Sequence, residues 1–250
     1  MIVTDTNVWY RIVEDKIDEN IIKRLPITVT AFNIIELLSS PNLLNISGRK
    51  YVLKACRAII NANPHFIRNL PYEFVANEYF GKKVKRKILL SEFYKLCKEG
   101  FDNLDVEYLV GLRDERVQGF RSSLTAQIAN VRSNKTLKQR IGQPDEATNI
   151  STNDFLHEIA RQLKINPRKV NMKRILERGK GLELYLRARG RYNQRLSLER
   201  QSPAGNDQFD ITNLMYVKEN DVYWTFDAKW IEIINEVDMG HKLFKNFISV

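Results

Sequence analysis

The strongest constraint on the fold is a pattern that occurs near both ends of the chain. A short apolar stretch runs directly into an aspartate, and a helical pattern follows at once. At the N-terminus, Met1-Ile-Val-Thr4 precedes Asp5, and apolar residues then recur at helical spacing. Near the C-terminus, the aromatic and β-branched residues 222–226 precede Asp227. We predict two strands, each of which ends in a carboxylate at the start of a helix.

Two further acidic positions lie between these ends. Residues 27–30, Ile-Thr-Val-Thr, predict a strand, and Thr30 is suited to cap the helix that follows. In that helix Glu36 stands between two large apolar residues, where a carboxylate either points to solvent or enters a polar site beside the core. A later helix begins with Asp207 and Asp210, which lie three positions apart and so share one side.

Parallel strands would bring these acidic positions to one edge of a sheet. Right-handed strand–helix–strand units give parallel strands, whose carboxyl ends share an edge. Carboxylates crowded there repel each other, and a divalent cation removes that penalty. Oxygen ligands without histidine or cysteine favour Mg²⁺ or Mn²⁺. The simpler interpretation, that Asp5 only caps its helix, stays open on the local pattern alone.

Composition limits the other classes of site. The three histidines and two cysteines have no zinc-type spacing, and the cysteines fit a reducing compartment better than a disulfide framework. No apolar run approaches the ~18–20 residues of a membrane span, and the first residues do not follow a signal-peptide pattern. We therefore expect a cytoplasmic protein without a membrane partner. Gly179-Lys-Gly181 is not a phosphate loop, so a nucleotide-binding module has no support.

The positive charge is concentrated in one segment. The net charge is +10, and residues 161–200, with 13 Lys or Arg and three acids, account for the whole excess. This indicates contact with nucleic acid, although a solvated helix surface is the simpler alternative. Arginines suit phosphates and tyrosine rings suit unpaired bases, unless the tyrosines only pack the helix. The predicted nucleic-acid-binding residues are Lys173, Arg174, Tyr185, Arg187, Arg189, Arg191, Tyr192 and Arg195.

The middle of the chain has a different character. From about Gly81 the pattern predicts helices and no strand, at about 83–99, 103–117, 119–132, 151–164 and 168–200. The polar residues 134–149 predict a loop, Ser151-Thr-Asn-Asp154 predicts a helix start, and residues 243–248 predict a last edge strand. We predict an α/β core from residues 1–80 and 203–250, interrupted by a basic helical insertion over residues 81–202.

Together these motifs resemble the PIN-domain family of metal-dependent nucleases, which includes bacterial toxin ribonucleases. The resemblance rests on Asp5-Thr-Asn7, Thr30-Ala-Phe-Asn-Ile-Ile-Glu36-Leu-Leu, Asp207-Gln-Phe-Asp210 and Thr225-Phe-Asp227. It covers roughly residues 1–60 and 203–250. Compact members of the family run without interruption between the second and third acids, whereas about 140 residues, 61–202, lie outside the resemblance here.

The resemblance implies a three-layer fold around a mostly parallel sheet, and an enzyme that uses Mg²⁺ or Mn²⁺ to cleave RNA. The implied catalytic metal ligands are Asp5, Glu36, Asp210 and Asp227. Asp207 competes with Asp210 for the third place, and both are kept as candidates. Asn7 and Thr225 would orient the ligands. A protein inhibitor of the antitoxin kind and a second copy of the chain are further partners that the resemblance leaves open.

Three functions stay open on the sequence. The leading one is an endoribonuclease whose basic helical insertion covers the acidic edge and holds the substrate. The second is a DNA nuclease for flaps or single strands, since the sequence does not reveal which sugar is recognised. The third is an RNA-binding protein without catalysis, against which the presence of all four acids argues. The substitution Asp5→Asn separates the enzymes from the binding protein, because only an enzyme would lose cleavage.

Overall fold

The fold is built on a small parallel sheet. The structure is a computed structural model that describes residues 1–81, 88, 90–162, 164, 179–199 and 201–245. Its strands are β1 (Ile2–Thr4), β2 (Ile27–Thr30), β3 (His65–Ile67) and β4 (Val222–Trp224). They lie in the order β3-β2-β1-β4, and every pairing is parallel. The predicted α/β class with a mainly parallel sheet is therefore confirmed.

The sequence predicted three of these four strands. It missed β3, which lies between two prolines at the edge of the sheet and whose side chains are half-buried or exposed. An edge strand of this kind lacks the buried apolar run that identifies β1 and β2. Of the predicted edge strand at 243–248, the described residues show a single parallel bridge between Leu243 and Tyr223. Residues 246–250 lie outside the described part of the chain.

Twelve α-helices in the described residues surround the sheet. They are α1 (Thr6–Val13), α2 (Glu19–Ile22), α3 (Ala31–Leu38), α4 (Ile46–Ala62), α5 (Pro71–Phe80), α6 (Leu90–Glu99), α7 (Val106–Ser133), α8 (Lys135–Ile141), α9 (Pro144–Gln162), α10 (Glu183–Leu198), α11 (Asp207–Asn213) and α12 (Ala228–Glu236). Short 3₁₀ turns occupy Pro41–Leu44, Gly179–Leu182, Leu214–Tyr216 and Gly240–Lys242. Across the described ranges, no helix has both the length and the apolar composition that crossing a membrane requires.

Helix boundaries in the middle of the chain correct two predictions. The predicted helices 103–117 and 119–132 are one helix, α7, because Gly119 weakens a helix without ending it. The predicted loop over 134–149 is wrong, since Asn134 caps α8 and Pro144 is the first residue of α9, where its missing N–H costs nothing. Ser151-Thr-Asn-Asp154 therefore lies inside α9. The predicted helical positions 83–87 and 168–178 lie outside the described residues, as do 89, 163 and 200.

Apolar side chains pack on both faces of the sheet. Because neighbouring strand residues point to opposite faces, Val3 joins the cluster with α5, α9, α10, α11 and α12. Ile2 joins the other cluster, with α1, α2, α3, α4 and α6. Helix α7 contributes to both clusters, its first turns to one and its later turns to the other. The sheet is thus the middle of three layers.

The middle of the chain shares this core with the ends. Tyr192 on α10 and Trp230 on α12 are buried against each other, with ring centroids 5.5 Å apart. Phe155 on α9 belongs to the same cluster as Val3 on β1. The boundaries 1–80, 81–202 and 203–250 remain a prediction of how the sequence is divided. In packing, described helices of the middle segment contribute to both clusters, α6 to one, α9 and α10 to the other, and α7 to both.

Candidate active site

Asp5 directly follows β1, and Asp227 lies three residues after the neighbouring strand β4, which is shorter than the predicted strand over residues 222–226. Thr4 lies opposite Trp224 in the pairing of β1 with β4, and the Asp5 N–H donates to the Trp224 carbonyl at 2.8 Å. Asp5 Oδ1 also accepts from the Thr6 N–H at 2.7 Å, and Asp227 Oδ1 accepts from two N–H groups in the first turn of α12. Asp5 is therefore a helix cap as well as a sheet-edge residue. The caps hold both carboxylates at the carboxyl ends of the strands, where parallel sheets place their ligands.

Asn7 and Thr225 hold the second oxygen of Asp5. This Oδ2 accepts from the Thr225 hydroxyl at 2.6 Å and from the Asn7 side-chain amide at 2.7 Å. The Asn7 side-chain oxygen accepts from the Phe226 N–H at 3.2 Å, and the Thr225 hydroxyl oxygen accepts from the Asp227 N–H at 3.1 Å. The two residues thus fix the orientation of Asp5 and link it to the loop that leads to Asp227. Residues that orient metal ligands make contacts of this kind.

Glu36 reaches the same edge of the sheet from α3. Thr30 caps this helix, as the sequence predicted, through reciprocal hydrogen bonds with Asn33. The Thr6 hydroxyl donates to Glu36 Oε2 at 2.6 Å. Since Thr6 directly follows Asp5, this bond brings α3 to the end of β1, and the charge of Asp5 acts on Glu36. Glu36 is partly exposed, so its carboxylate occupies a polar site beside the core.

Two buried asparagines, which sequence reasoning missed, fix the relative positions of these elements. Asn33 on α3 donates to the Thr4 carbonyl at 3.1 Å and to the Thr6 hydroxyl at 3.2 Å. Asn213, the last residue of α11, donates to the Thr4 carbonyl at 3.2 Å and accepts from the Thr30 hydroxyl at 2.9 Å. These bonds tie α3 and α11 to the ends of β1 and β2. The sequence signal was weak, since it consists of single asparagines among apolar residues of predicted helices.

Asp207 and Asp210 are both buried on α11 but have different surroundings. Asp207 Oδ2 accepts from the Tyr192 hydroxyl and from the Ala204 N–H, each at 2.7 Å, and its Oδ1 forms an ion pair with Lys229. Because Oδ1 already has a cationic partner, Asp207 is the less suited of the two candidates for a metal ligand. The charges that act on Asp210 are those of the other acids at the sheet edge. The contacts therefore favour Asp210 as the third acid.

Burial and mutual repulsion raise the pKa values of three of the carboxyls. Burial raises the pKa of Asp5 to about 6, and the charge of Asp227 adds to it, against the hydrogen bonds that Asp5 accepts. Burial and the charge of Asp5 raise the pKa of Glu36 to about 7. Burial, followed by the charges of Asp5, Glu36 and Asp227, raises the pKa of Asp210 well above its ordinary value. The charges of Asp5, Glu36 and Asp227, from three separate places in the chain, therefore raise the pKa values of neighbouring acids at this edge.

The chemistry of these donors suits a hard divalent cation. Carboxylate oxygens are the ligands that Mg²⁺ and Mn²⁺ prefer, and a cation would offset the repulsion between them. Asp5 Oδ1 accepts one hydrogen bond, which leaves it a lone pair for a ligand bond. As they stand, however, the described residues contain no group of three or more His, Cys, Asp or Glu side chains arranged to hold a metal ion. A metal-bound state would require closer approach of the carboxylates, and the metal site stays a prediction.

The predicted nucleic-acid-binding tyrosines are core residues. Tyr185 and Tyr192 are each 2% exposed. Tyr185 packs edge-on against Phe155 with ring centroids 4.9 Å apart, and Tyr192 donates its hydroxyl to Asp207. The prediction that these rings stack on unpaired bases is wrong, because neighbouring side chains already enclose them. The alternative interpretation, in which the helix uses its tyrosines for packing, describes the structure.

The four predicted arginines of α10 form ion pairs with acids of the same chain. The pairs are Arg187 with Glu183, Arg189 with Glu158, Arg191 with Glu199 and Glu236, and Arg195 with Glu232 and Glu236. The side chain of Arg195 is 5% exposed and that of Arg187 is 44% exposed. Arg187 alone among the four therefore presents much of its side chain to solvent, so α10 does not form the predicted nucleic-acid surface. Lys173 and Arg174 lie outside the described residues.

Comparisons with known proteins do not identify this chain. No family model matches it, and no curated protein or solved structure matches it significantly. The function proposed below is therefore supported by the sequence motifs and by the geometry of the sheet edge.

Proposed function

We propose that this protein is an endoribonuclease that depends on Mg²⁺ or Mn²⁺ and has a PIN-like fold. The observation that supports it most is that acids from four places in the chain meet at one edge of a parallel sheet, where their charges raise the pKa values of Asp5, Glu36 and Asp210. Buried carboxylates in a folded protein are usually paired with cations, whereas Asp5, Glu36 and Asp210 lie near like charges that raise their pKa values. Perturbed titratable groups that cluster in this way are typical of functional sites.

Each residue at the sheet edge has a task in such a reaction. A bound Mg²⁺ or Mn²⁺ supplies the charge that polarises a phosphodiester and activates water. Asp5, Glu36, Asp210 and Asp227 are the groups that would hold it. The hydroxyl of Thr225 and the amide of Asn7 restrict Asp5 to one orientation, and the Thr6 hydroxyl does the same for Glu36. The negative charge of the four acids would concentrate cations at this edge.

Cleavage assays with the purified chain test the proposal. Matched single-stranded RNA and DNA oligonucleotides are incubated with Mn²⁺, with Mg²⁺ or with EDTA. We expect cleavage of RNA with either metal and none in EDTA. Asp5→Asn should lower the rate at least about 100-fold, because it removes a ligand charge while asparagine still caps the helix.

Asp105→Asn is the matched control for this variant. Asp105 is an exposed aspartate that caps α7 by accepting from the Tyr108 N–H, so the same change is made at an equivalent local position. Its cleavage rate should equal that of the unmodified chain. Cleavage of DNA alone would favour the DNA nuclease, and RNA binding without any cleavage would favour the non-catalytic protein. Action on cellular RNA in the cytoplasm is part of the same proposal.

A further inference from the structure

A cavity of about 300 Å³ lies beside Glu36. Its polar lining residues are Tyr10, Ser40, Asn42, Arg113 and Asn206. The volume is within the range of small-ligand sites in proteins. Glu36 belongs both to this cavity and to the candidate active site, so the two adjoin at Glu36. Arg113 comes from α7, which belongs to the middle segment of the chain and not to the strands that carry the acids.

Arg113 occupies a core-facing position of α7. Buried residues of this helix include Val106, Val110 and Val117, and Arg113 falls between them at the same helical spacing. The pattern predicts an apolar residue at this place. The structure instead has a charged side chain that is 10% exposed and whose guanidinium lies 5.1 Å from the centre of the Phe209 ring. Phe209 directly precedes Asp210, so this contact directs Arg113 towards the acidic edge.

The guanidinium of Arg113 has an unused donor. One of its terminal nitrogens donates to the Asn206 side-chain oxygen, and the carboxylate with which it pairs is Asp114, at 3.8 Å and largely exposed. The Arg113 Nε is buried and has no hydrogen-bond partner among the described residues. The charge of Arg113 also lowers the pKa of Glu36, against the larger effect of burial. A largely buried guanidinium that lines a cavity and has no close carboxylate partner among the described residues favours an anionic ligand in that cavity.

We propose that Arg113 binds a backbone phosphate of a single-stranded nucleic acid in this cavity and so places the adjoining phosphodiester against the carboxylates. The inference rests on the proposed function, since it names how that site holds its substrate. The planar fork of arginine matches two phosphate oxygens, which a lysine does not reproduce. Phosphate contacts position a nucleic acid without reading its sequence. Arg113 therefore takes the role that the internally paired arginines of α10 do not fill.

Equilibrium binding in a non-cleaving background tests this inference. The Asp5→Asn chain carries in addition Arg113→Gln, Arg113→Lys or Arg116→Ala, and binds a short labelled RNA in EDTA over a series of salt concentrations. Arg113→Gln should weaken binding about tenfold and reduce the slope of log K against log salt by ~0.7, the value for one phosphate on a single strand. Arg113→Lys keeps the charge, so the slope should be unchanged while affinity falls about threefold. A DNA oligonucleotide should show the same losses.

Arg116→Ala is the control, because Arg116 is an exposed arginine on the same helix. Its affinity should stay within about twofold of the background, since an exposed charge is screened by salt. Equal affinities of the Arg113→Gln and Arg116→Ala chains would overturn the inference, as would a loss of affinity with an unchanged salt slope. A reduced slope for Arg113→Lys would overturn it as well, and this variant decides the matter if the glutamine substitution impairs folding.

The inference and the proposed function can fail separately. If the unmodified chain cleaves neither RNA nor DNA, the nuclease proposal is wrong, while the salt dependence of binding still reports on Arg113. If it cleaves RNA but Arg113→Gln binds as the control does, the site is a nuclease centre and Arg113 is not its phosphate ligand. Unfolding midpoints measured for each variant confirm that the compared chains are folded.

Discussion

Asp5 and Glu36 make the metal-free protein less stable as the pH rises. Their ordinary pKa values of 3.8 and 4.5 become about 6 and about 7 in the folded state. Between these values the folded protein binds more protons than the unfolded chain, so the free energy of unfolding falls as the pH increases from about 4 to about 7. A rise of about two pKa units corresponds to on the order of 3 kcal/mol per group.

Urea unfolding in EDTA at pH 5 and at pH 8 measures this fall, and Asp5→Asn should reduce it. Mn²⁺ should stabilise the protein more at pH 8, because the cation and the protons compete for the same oxygens. Glu236 does not disturb the comparison, since hydrogen bonds from Arg195 and Arg191 lower its pKa to about 2 and its titration lies below this range. Equal stability of the metal-free protein at both pH values would contradict the raised pKa values.

Thr225→Val tests the hydrogen bond that orients Asp5. Valine keeps the shape of the side chain but loses the hydroxyl that donates to Asp5 Oδ2 at 2.6 Å. We expect the cleavage rate to fall about 10- to 100-fold, as it does when other groups that orient metal ligands are removed. The pKa of Asp5 should rise further, because this hydrogen bond lowers it. Thr225→Ser keeps the donor and should retain most of the rate; equal rates for the two variants would show that the hydroxyl is dispensable.

At the level of whole elements, α9 and α10 cross closely at Gly190. A Cβ at this position would lie 3.0 Å from the backbone N and Cα of Thr148. Gly190→Ala should therefore lower the free energy of unfolding by about 1–3 kcal/mol through overpacking. Gly119 on α7 is the matched control, since a Cβ there would meet nothing within 4 Å. Gly119→Ala should raise the free energy of unfolding by about 0.5–1 kcal/mol, and urea unfolding that gave both changes the same sign would contradict the described crossing.

Local signals predicted the elements that carry the candidate site. A capping residue directly after a short apolar run marks both the end of a strand and the start of a helix, and Asp5, Thr30 and Asp227 all have this position. Once the strands were taken as parallel, the same signal put Asp5, Asp227 and the helix that carries Glu36 at one edge. The roles of Asn33 and Asn213 could not be predicted in this way. Nothing in the local sequence shows that their side chains donate to a backbone carbonyl of another element.

Tertiary packing determines which basic side chains are buried or paired, and the local sequence pattern does not show this. Helix α10 has the composition of a basic surface helix, yet Tyr192 packs on Trp230 and Arg195 pairs with acids of α12. Those partners are more than 30 residues away in the sequence, so the sequence of α10 alone does not indicate that its side chains will pair with them. Arg113 differs from the arginines of α10. It lies among the buried apolar residues of α7, outside the segment in which positive charge is concentrated. Net charge therefore located the basic residues without showing which of them keep a free donor.

On the scale of the whole molecule, ion pairs join the middle of the chain to its C-terminal part. Glu236 on α12 accepts from Arg195 at 2.7 Å and from Arg191 at 2.7 Å. The Arg195 side chain is 5% exposed, so loss of a partner would leave a nearly buried charge incompletely paired. This pairing and the Tyr192–Trp230 contact both connect α10 to α12. The acids of the sheet edge are therefore held by a layer that includes helices of the middle segment.

We consequently expect the chain to unfold in one cooperative step. Trp9, Trp224 and Trp230 all belong to the parts that carry the sheet, whereas much of the helical circular dichroism comes from α6 to α10. If both parts share one core, tryptophan fluorescence and circular dichroism should give coincident urea unfolding curves. Glu236→Gln should shift both curves together, by about 1–3 kcal/mol, and Glu107→Gln, at an exposed position of α7, should shift neither. Separate transitions, or a shift seen by one probe alone, would show that the middle segment folds as an independent unit.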